Sequence, residues 1–318
     1  MTAMKKPEPE ADREIVITRL IDAPVARVWR AWTDNAEIVK WWGPHGFSNE
    51  TSAREFAAGG HWKHTMIGPD GIRYPNYATY KEIEKEKRIL LVNGGSKEDE
   101  AKGVSMRQEV TFKAVGEKTE ITMRTVLPTV EMRERVVKEF KAIAGGNQTL
   151  ARLAAHVEGQ FVLFRMVDAP RERVWRAWTD GKELAAWMGP KGAETGASNM
   201  DFRVGGTYHY SMKAGPVEMW GLVTYKEIEK PKKLVYIQQF SDKDRGLTAH
   251  PMAPTWPKKT LTTIWFQEFG PKTLISLYWA PIEPSAAETK TFNDGMAGMH
   301  QGWGGSFDRL DEFLREAK

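Results

Sequence analysis

Two short stretches carry side chains that could build a small-molecule site. Trp62, His64 and Met66 alternate along HWKHTMI, and Tyr208, Tyr210 and Met212 alternate along TYHYSMK. Alternation puts each trio on one face of a strand. Aromatic rings, a thioether and one or two polar edges line apolar pockets, although the same residues also serve as ordinary core. Tyr236 in KLVYIQQF adds a third phenol, and Trp256, Met299 and Trp303 add apolar surface further on. Acid–base chemistry would need His64 in the first stretch, or Tyr210 with His300 in the second. No residue is assigned a catalytic role. His61 and His64 lie three apart, which aims them at opposite faces of a strand, so no metal and no cofactor is expected. The chain has no Cys, which excludes thiolate ligands and a Cys nucleophile. No G-x-S-x-G, phosphate loop or dinucleotide-binding glycine pattern is present.

The elements that position these residues occur twice. RVWRAWTD runs from Arg27 to Asp34 and again from Arg173 to Asp180, an offset of 146. The same offset pairs Asp22-Ala23-Pro24 with Asp168-Ala169-Pro170 and Trp41 with Trp187, while TYKEIEK recurs one position closer. Such a period means a tandem duplication of one globular domain, not a solenoid. The expected division is a disordered tail over residues 1–12, a first domain over 13–157 and a second over 158–318. Matching Gly145-Gly146 to Gly304-Gly305 sets Trp303 opposite Ala144 and Gly302 opposite Ile143, and SDKDRGLTAHPMAPTWP reads as an insertion in the second copy.

Each copy opens with an apolar strand, EIVITRLI or QFVLFRMV. Asp22 and Asp168 stand where a helix N-cap is expected. Val25, Val28, Trp29 and Trp32 then share one helix face, so the Trp pair reads as a core stripe. About six strands follow, then a long helix carrying Phe292, Met296, Met299, Trp303, Leu310 and Leu314 at helical spacing. Strands in series with helices at the sequence ends argue α+β with an antiparallel sheet. The last helix of the second copy is rich in glycine (MAGMHQGWGGS). Interior glycine costs about 0.5–1 kcal/mol relative to alanine, so the missing side chains have a use: close approach to the sheet, a kink, or a cavity between helix and sheet. His250, Met252, Trp256 and Pro257 in the inserted loop read either as a cover for the cavity mouth or as a packed surface loop.

Both halves resemble the START-like superfamily (SRPBCC, birch-allergen-type), and within it the family of homologues of the activator of heat-shock-protein-90 ATPase. The residues carrying the likeness are DAPVARVWRAWTDNAEIVKWWGP, FAAGGHW and TYKEIEK in the first copy. In the second they are DAPRERVWRAWTDGKELAAWMGP, FRVGGTY, WGLVTYKEIEKPKKLVY and MHQGWGGSFDRLDEFL. The resemblance implies two tandem helix-grip domains, each a curved antiparallel sheet wrapped around a long C-terminal helix over a hydrophobic cavity. The superfamily's functions are diverse, so the fold alone does not choose among them.

The leading expectation is a binding protein for a small apolar or aromatic molecule, held between sheet and helix in the second copy. A cyclase- or hydrolase-type enzyme using the same cavity is the alternative, and a chaperone or regulator partner a third reading. Net charge is +4 with both signs interspersed, which points away from nucleic acid. No apolar run reaches the length of a membrane span, and a cytoplasmic location is expected. The ligand and the oligomeric state are not fixed by sequence.

Overall fold

The repeated octapeptide builds a helix hairpin. The computed structural model describes residues 9–94, 105–189, 192–214 and 217–316. In the first copy α1 (Val25–Thr33) buries Val28, Trp29, Ala31 and Trp32, and α2 (Asn35–Trp41) buries Ile38 and Trp41. The polar letters of the motif join the two helices. Asp34 caps α2 by accepting from the amides of Ala36 and Glu37. Arg27 and Arg30 both donate to the Glu37 carboxylate, at 2.6 and 2.8 Å. The Trp41 indole donates to Ala31 O at 2.9 Å. The second copy repeats every one of these bonds in α5 (Arg171–Thr179) and α6 (Gly181–Trp187), with Asp180 as cap, Glu183 as carboxylate and Trp187 as indole. Asp22 is not the cap of α1: Pro24 holds that position without a side-chain bond, and Asp22 pairs with Lys118 instead.

The chain divides into two compact units, Met1–Glu158 and Gly159–Lys318. In the first, six strands follow the hairpin: β2 (Ser48–Arg54), β3 (His61–Ile67), β4 (Arg73–Glu84), β5 (Arg88–Asn93), β6 (Met106–Val115) and β7 (Lys118–Val126). With β1 (Glu14–Ile21) they form one antiparallel sheet in the order β1-β7-β6-β5-β4-β3-β2. The second unit repeats that order with β8 (Phe161–Val167), β9 (Glu194–Met200), β10 (Thr207–Ala214), β11 (Val217–Glu229), β12 (Lys233–Ser241), β13 (Thr260–Phe269) and β14 (Lys272–Pro281). Neighbours in sequence pair as hairpins, and only the first strand crosses to the far edge. Each unit ends in two helices: α3 (Val130–Lys138) and α4 (Ala142–Val157), then α7 (Ala286–Asp294) and α8 (Met296–Glu316). The fold is α+β, a helix-grip domain present twice. Each unit has its own core, centred on Trp29, Trp32 and Trp41 in the first and on Trp175, Trp178 and Trp187 in the second.

Three sequence expectations change. Residues 1–8 of the expected tail lie outside the described residues, but Glu10–Asp12 form a 3-10 turn. It is fixed because Glu10 accepts from Arg107 and Arg124 on the sheet, at 2.7 and 3.0 Å. The final helix does not run through Phe292, because α7 closes at Gly295 and α8 begins afresh at Met296.

The third change concerns the pairing of the last helices. The Arg152 guanidinium donates to the carbonyls of Lys40, Gly43, Pro44 and Phe47. Arg309 donates to those of Ala186, Gly189 and Ala193, the same places one repeat on. Thr149 bonds Gly145 O, and Ser306 bonds Gly302 O. Gly302 therefore matches Gly145, and Trp303 matches Gly146. Matching the glycine pairs by identity gave a register two residues off.

Candidate functional site

A cavity of about 490 Å³ lies between the sheet of the second unit and α8. Strand alternation supplies one wall. Tyr208, Tyr210 and Met212 of β10 face it together with Tyr236 and Gln238 of β12. The Tyr208 and Tyr210 rings stack at 5.0 Å and 15°. Gln238 Nε2 donates to the Tyr210 hydroxyl at 2.9 Å. Helix α8 supplies the opposite wall through Gly298, Met299, Gly302, Trp303 and Ser306. A Cβ added at Gly298 or Gly302 would meet nothing within 4 Å. The glycines therefore border open space; they do not serve a tight contact with the sheet. Trp303 lies near-parallel to Trp178 at 6.4 Å and edge-on to Trp279 at 6.2 Å.

The loop between β12 and β13 contributes to the wall. His250, Trp256 and Pro257 line the cavity, whereas Met252 is 69 % exposed and does not. His250 Nδ1 accepts from the amides of Met252 and Ala253, both at 3.1 Å, so this nitrogen is unprotonated in the folded loop. Trp256 rests on Trp279 and Phe292, each 5.7 Å away.

The electrostatics are those of a neutral site. No Asp, Glu, Lys or Arg is found among the described residues of the wall. Burial raises the pKa of Tyr208, Tyr225 and Tyr236, and pushes that of Tyr210 up to about 12. The phenols thus stay protonated and act as donors, not as bases.

The structure brings together Tyr208, Tyr210, Met212, Tyr236, Trp256, Met299 and Trp303. His300 stays apart: it is exposed and packs on Phe161 at 4.5 Å, so it forms no pair with Tyr210. Trp62, His64 and Met66 belong to the other unit. There Trp62 and His64 are 2 % and 5 % exposed and stack at 3.9 Å. Trp42 meets both rings edge-on. Arg54 lies over Trp62 and donates to the Tyr80 hydroxyl and to the carbonyls of Trp32 and Thr33. Met200 holds the corresponding place in the second unit. Asn49 Nδ2 donates to His64 Nδ1 at 3.1 Å. Burial, with Arg54 nearby, lowers the His64 pKa to about 4. Met66 is half-buried, its sulfur beside Gly43.

Sequence reasoning missed Trp178, Gly221, Gln238 and Trp279, which also line the cavity. Gln238 was reachable, because it shares the face of Tyr236 two residues away. Trp178 is core, as its helical spacing implies, and it also borders the cavity, which spacing alone does not reveal.

A curved sheet gripping a C-terminal helix, built twice, defines a tandem START-like protein. The chain belongs to the family of Activator of Hsp90 ATPase homolog 1-like proteins, whose profile matches residues 22–158 and again 168–315. A sequence comparison with curated proteins yields no match. Among solved structures the chain is similar to a protein of Nitrosomonas europaea, at 20% identity and a TM-score of 0.42 over 48% of this chain and 97% of that one. One from Arthrobacter aurescens shows 22% identity and a TM-score of 0.43 over 48% and 90%. The di-domain ARO/CYC protein BexL, from the BE-7585A biosynthetic pathway, is 14% identical over 95% of this chain and 98% of its own, with a TM-score of 0.35. Among the described residues no helix is long and apolar enough to cross a membrane.

Proposed function

We propose that the second copy binds a small, mostly apolar or aromatic molecule between its sheet and α8. One observation carries this: a cavity of about 490 Å³ is bordered by a helix face with Gly298 and Gly302, where an added Cβ would meet nothing within 4 Å. That volume is typical of small-molecule sites, and an aromatic wall with few polar groups is their usual lining. Leaving it empty forgoes the packing that stabilises protein interiors. The first copy is the scaffold member of the pair. Its Trp62, His64 and Arg54 occupy each other's contact surfaces, and the His64 ring nitrogen is committed to Asn49.

The test uses the full chain. Native mass spectrometry before and after denaturation reads any captured molecule, and titration with the neutral dye Nile red reads the cavity directly. Saturable binding of one dye per chain, lost in the Gly298→Leu, Gly302→Leu double variant, is expected. A dye that binds the double variant as well as the wild type, or an unliganded mass together with no dye binding, overturns the reading.

A further inference from the structure

One oriented polar feature of the cavity constrains what it takes. Gln238 Nε2 is an amide nitrogen and can only donate. In the 2.9 Å contact the Tyr210 oxygen is therefore the acceptor, and the phenol keeps its own hydrogen to give. Among the described residues no group accepts that hydrogen. The arrangement is set by a residue without a side chain. Tyr210 pairs across the ladder with Gly221. A Cβ at Gly221 would lie 2.5 Å from Tyr210 Cζ and 2.7 Å from its oxygen. Glycine thus lets the ring lie over β11, with its hydroxyl beside Gln238. In the first copy the equivalent pair is His64 and Asn76, and the His64 ring stacks on Trp62 as Tyr210 does on Tyr208.

The rest of the wall argues about charge and shape. With no charged side chain among its described residues, it gives an ion no partner, and an unpaired buried charge is strongly disfavoured. The stacked Tyr208 and Tyr210 and the faces of Trp178 and Trp303 favour a flat ring.

We infer that the occupant is an uncharged, ring-bearing molecule with a carbonyl-type oxygen that accepts from the Tyr210 hydroxyl, and that Gly221 is the positioning residue for this bond. This rests on the reading of the cavity as a binding site.

Equilibrium dialysis of the full chain against three probes tests it. The probes are 2-acetylnaphthalene, its oxygen-free analogue 2-ethylnaphthalene, and 2-naphthoate. The ketone is expected to bind about fivefold more tightly than the hydrocarbon, as one net hydrogen bond allows, and the carboxylate most weakly. Tyr210→Phe removes the donor and Gly221→Ala displaces it, so each should bring the ketone-to-hydrocarbon ratio close to one. Gly221→Ala leaves the phenol in place, which separates loss of position from loss of the group. Equal binding of ketone and hydrocarbon to the wild type, an undiminished ratio in Tyr210→Phe, or tightest binding of the carboxylate overturns the assignment alone. Failure of all three probes counts against the binding reading as well.

Discussion

Trp303 stands where the first copy has Gly146. In the first copy a Cβ at that position would lie 2.2 Å from Ile17 Cδ1, so α4 lies directly against β1. In the second copy an indole occupies the place, packed among Trp178, Trp279 and Phe307. One helix is seated on its sheet through a glycine. The other carries a tryptophan at that place, and the neighbouring Gly302 borders the cavity. The two copies of one fold thus differ on the same helix face, with a glycine against the sheet in the first and a tryptophan beside the cavity in the second.

Opposite responses to added bulk follow. Gly302→Ala places a methyl group in open space and removes a helix-interior glycine, so the second unit should gain about 0.5–1 kcal/mol. Gly146→Leu drives a side chain into Ile17 and Met123 and should cost the first unit about 1–3 kcal/mol. Thermal unfolding of the two variants checks the contrast. Loss of stability in Gly302→Ala would show that the helix face is packed, not open.

His64 gives an acid-side prediction. Its folded pKa is lowered from 6.5 to about 4 by burial and by Arg54. The unfolded chain therefore takes up this proton at higher pH than the folded one. The His64 contribution is present above pH 6.5 and is lost as pH falls towards 4, up to about 3 kcal/mol in all. His64→Gln can still accept from Asn49 and should flatten the stability profile between those limits. An NMR titration placing the His64 midpoint near 6.5 in the folded protein would refute this.

The tyrosines act on the alkaline side. Burial raises Tyr210 from 10.0 to about 12, so the folded state holds its proton where the unfolded chain has lost it. Its contribution is full below pH 10 and drains away as pH rises to 12, again up to about 3 kcal/mol. Ultraviolet titration of the folded protein should show Tyr210 ionising late, and Tyr210→Phe should lessen the alkaline loss of stability. A Tyr210 midpoint at 10 in the intact protein would contradict the burial.

Much of this architecture was legible because it is local and repeated. RVWRAWTD announces its hairpin twice, and the period-two pattern of TYHYSMK puts Tyr208, Tyr210 and Met212 on one face, where the cavity is. What alternation cannot say is whether a face is filled. Trp62 and His64 follow the same pattern as Tyr208 and Tyr210, yet Arg54 from a neighbouring strand and Trp42 from the hairpin pack against them. Those contacts are set by tertiary structure. The helix register was misread for a related reason: identity favoured the two Gly-Gly pairs, whereas the carbonyl clusters around Arg152 and Arg309 fix the true match.

Trp256 is a fixed part of the cavity wall. It lines the cavity and touches His250, Trp279 and Phe292. A Cβ at Gly295 would come within 3.3 Å of its ring, which leaves little slack on the helix side. The flanking chain is tied down by the contact of Thr255 with Thr291 at 2.8 Å and of the Lys258 amide with Glu288 at 3.2 Å. The indole is therefore a fixed surface for an occupant to contact. Trp256→Ala removes it without touching Tyr210 or the glycine face of α8. Dissociation of a bound neutral dye should then quicken about tenfold while association changes much less, since affinity changes at one site fall mostly on the off-rate. Stopped-flow measurements separate the two rates. An unchanged dissociation rate would mean that the occupant makes no contact with the indole, and that the loop serves only to pack the edge of the sheet.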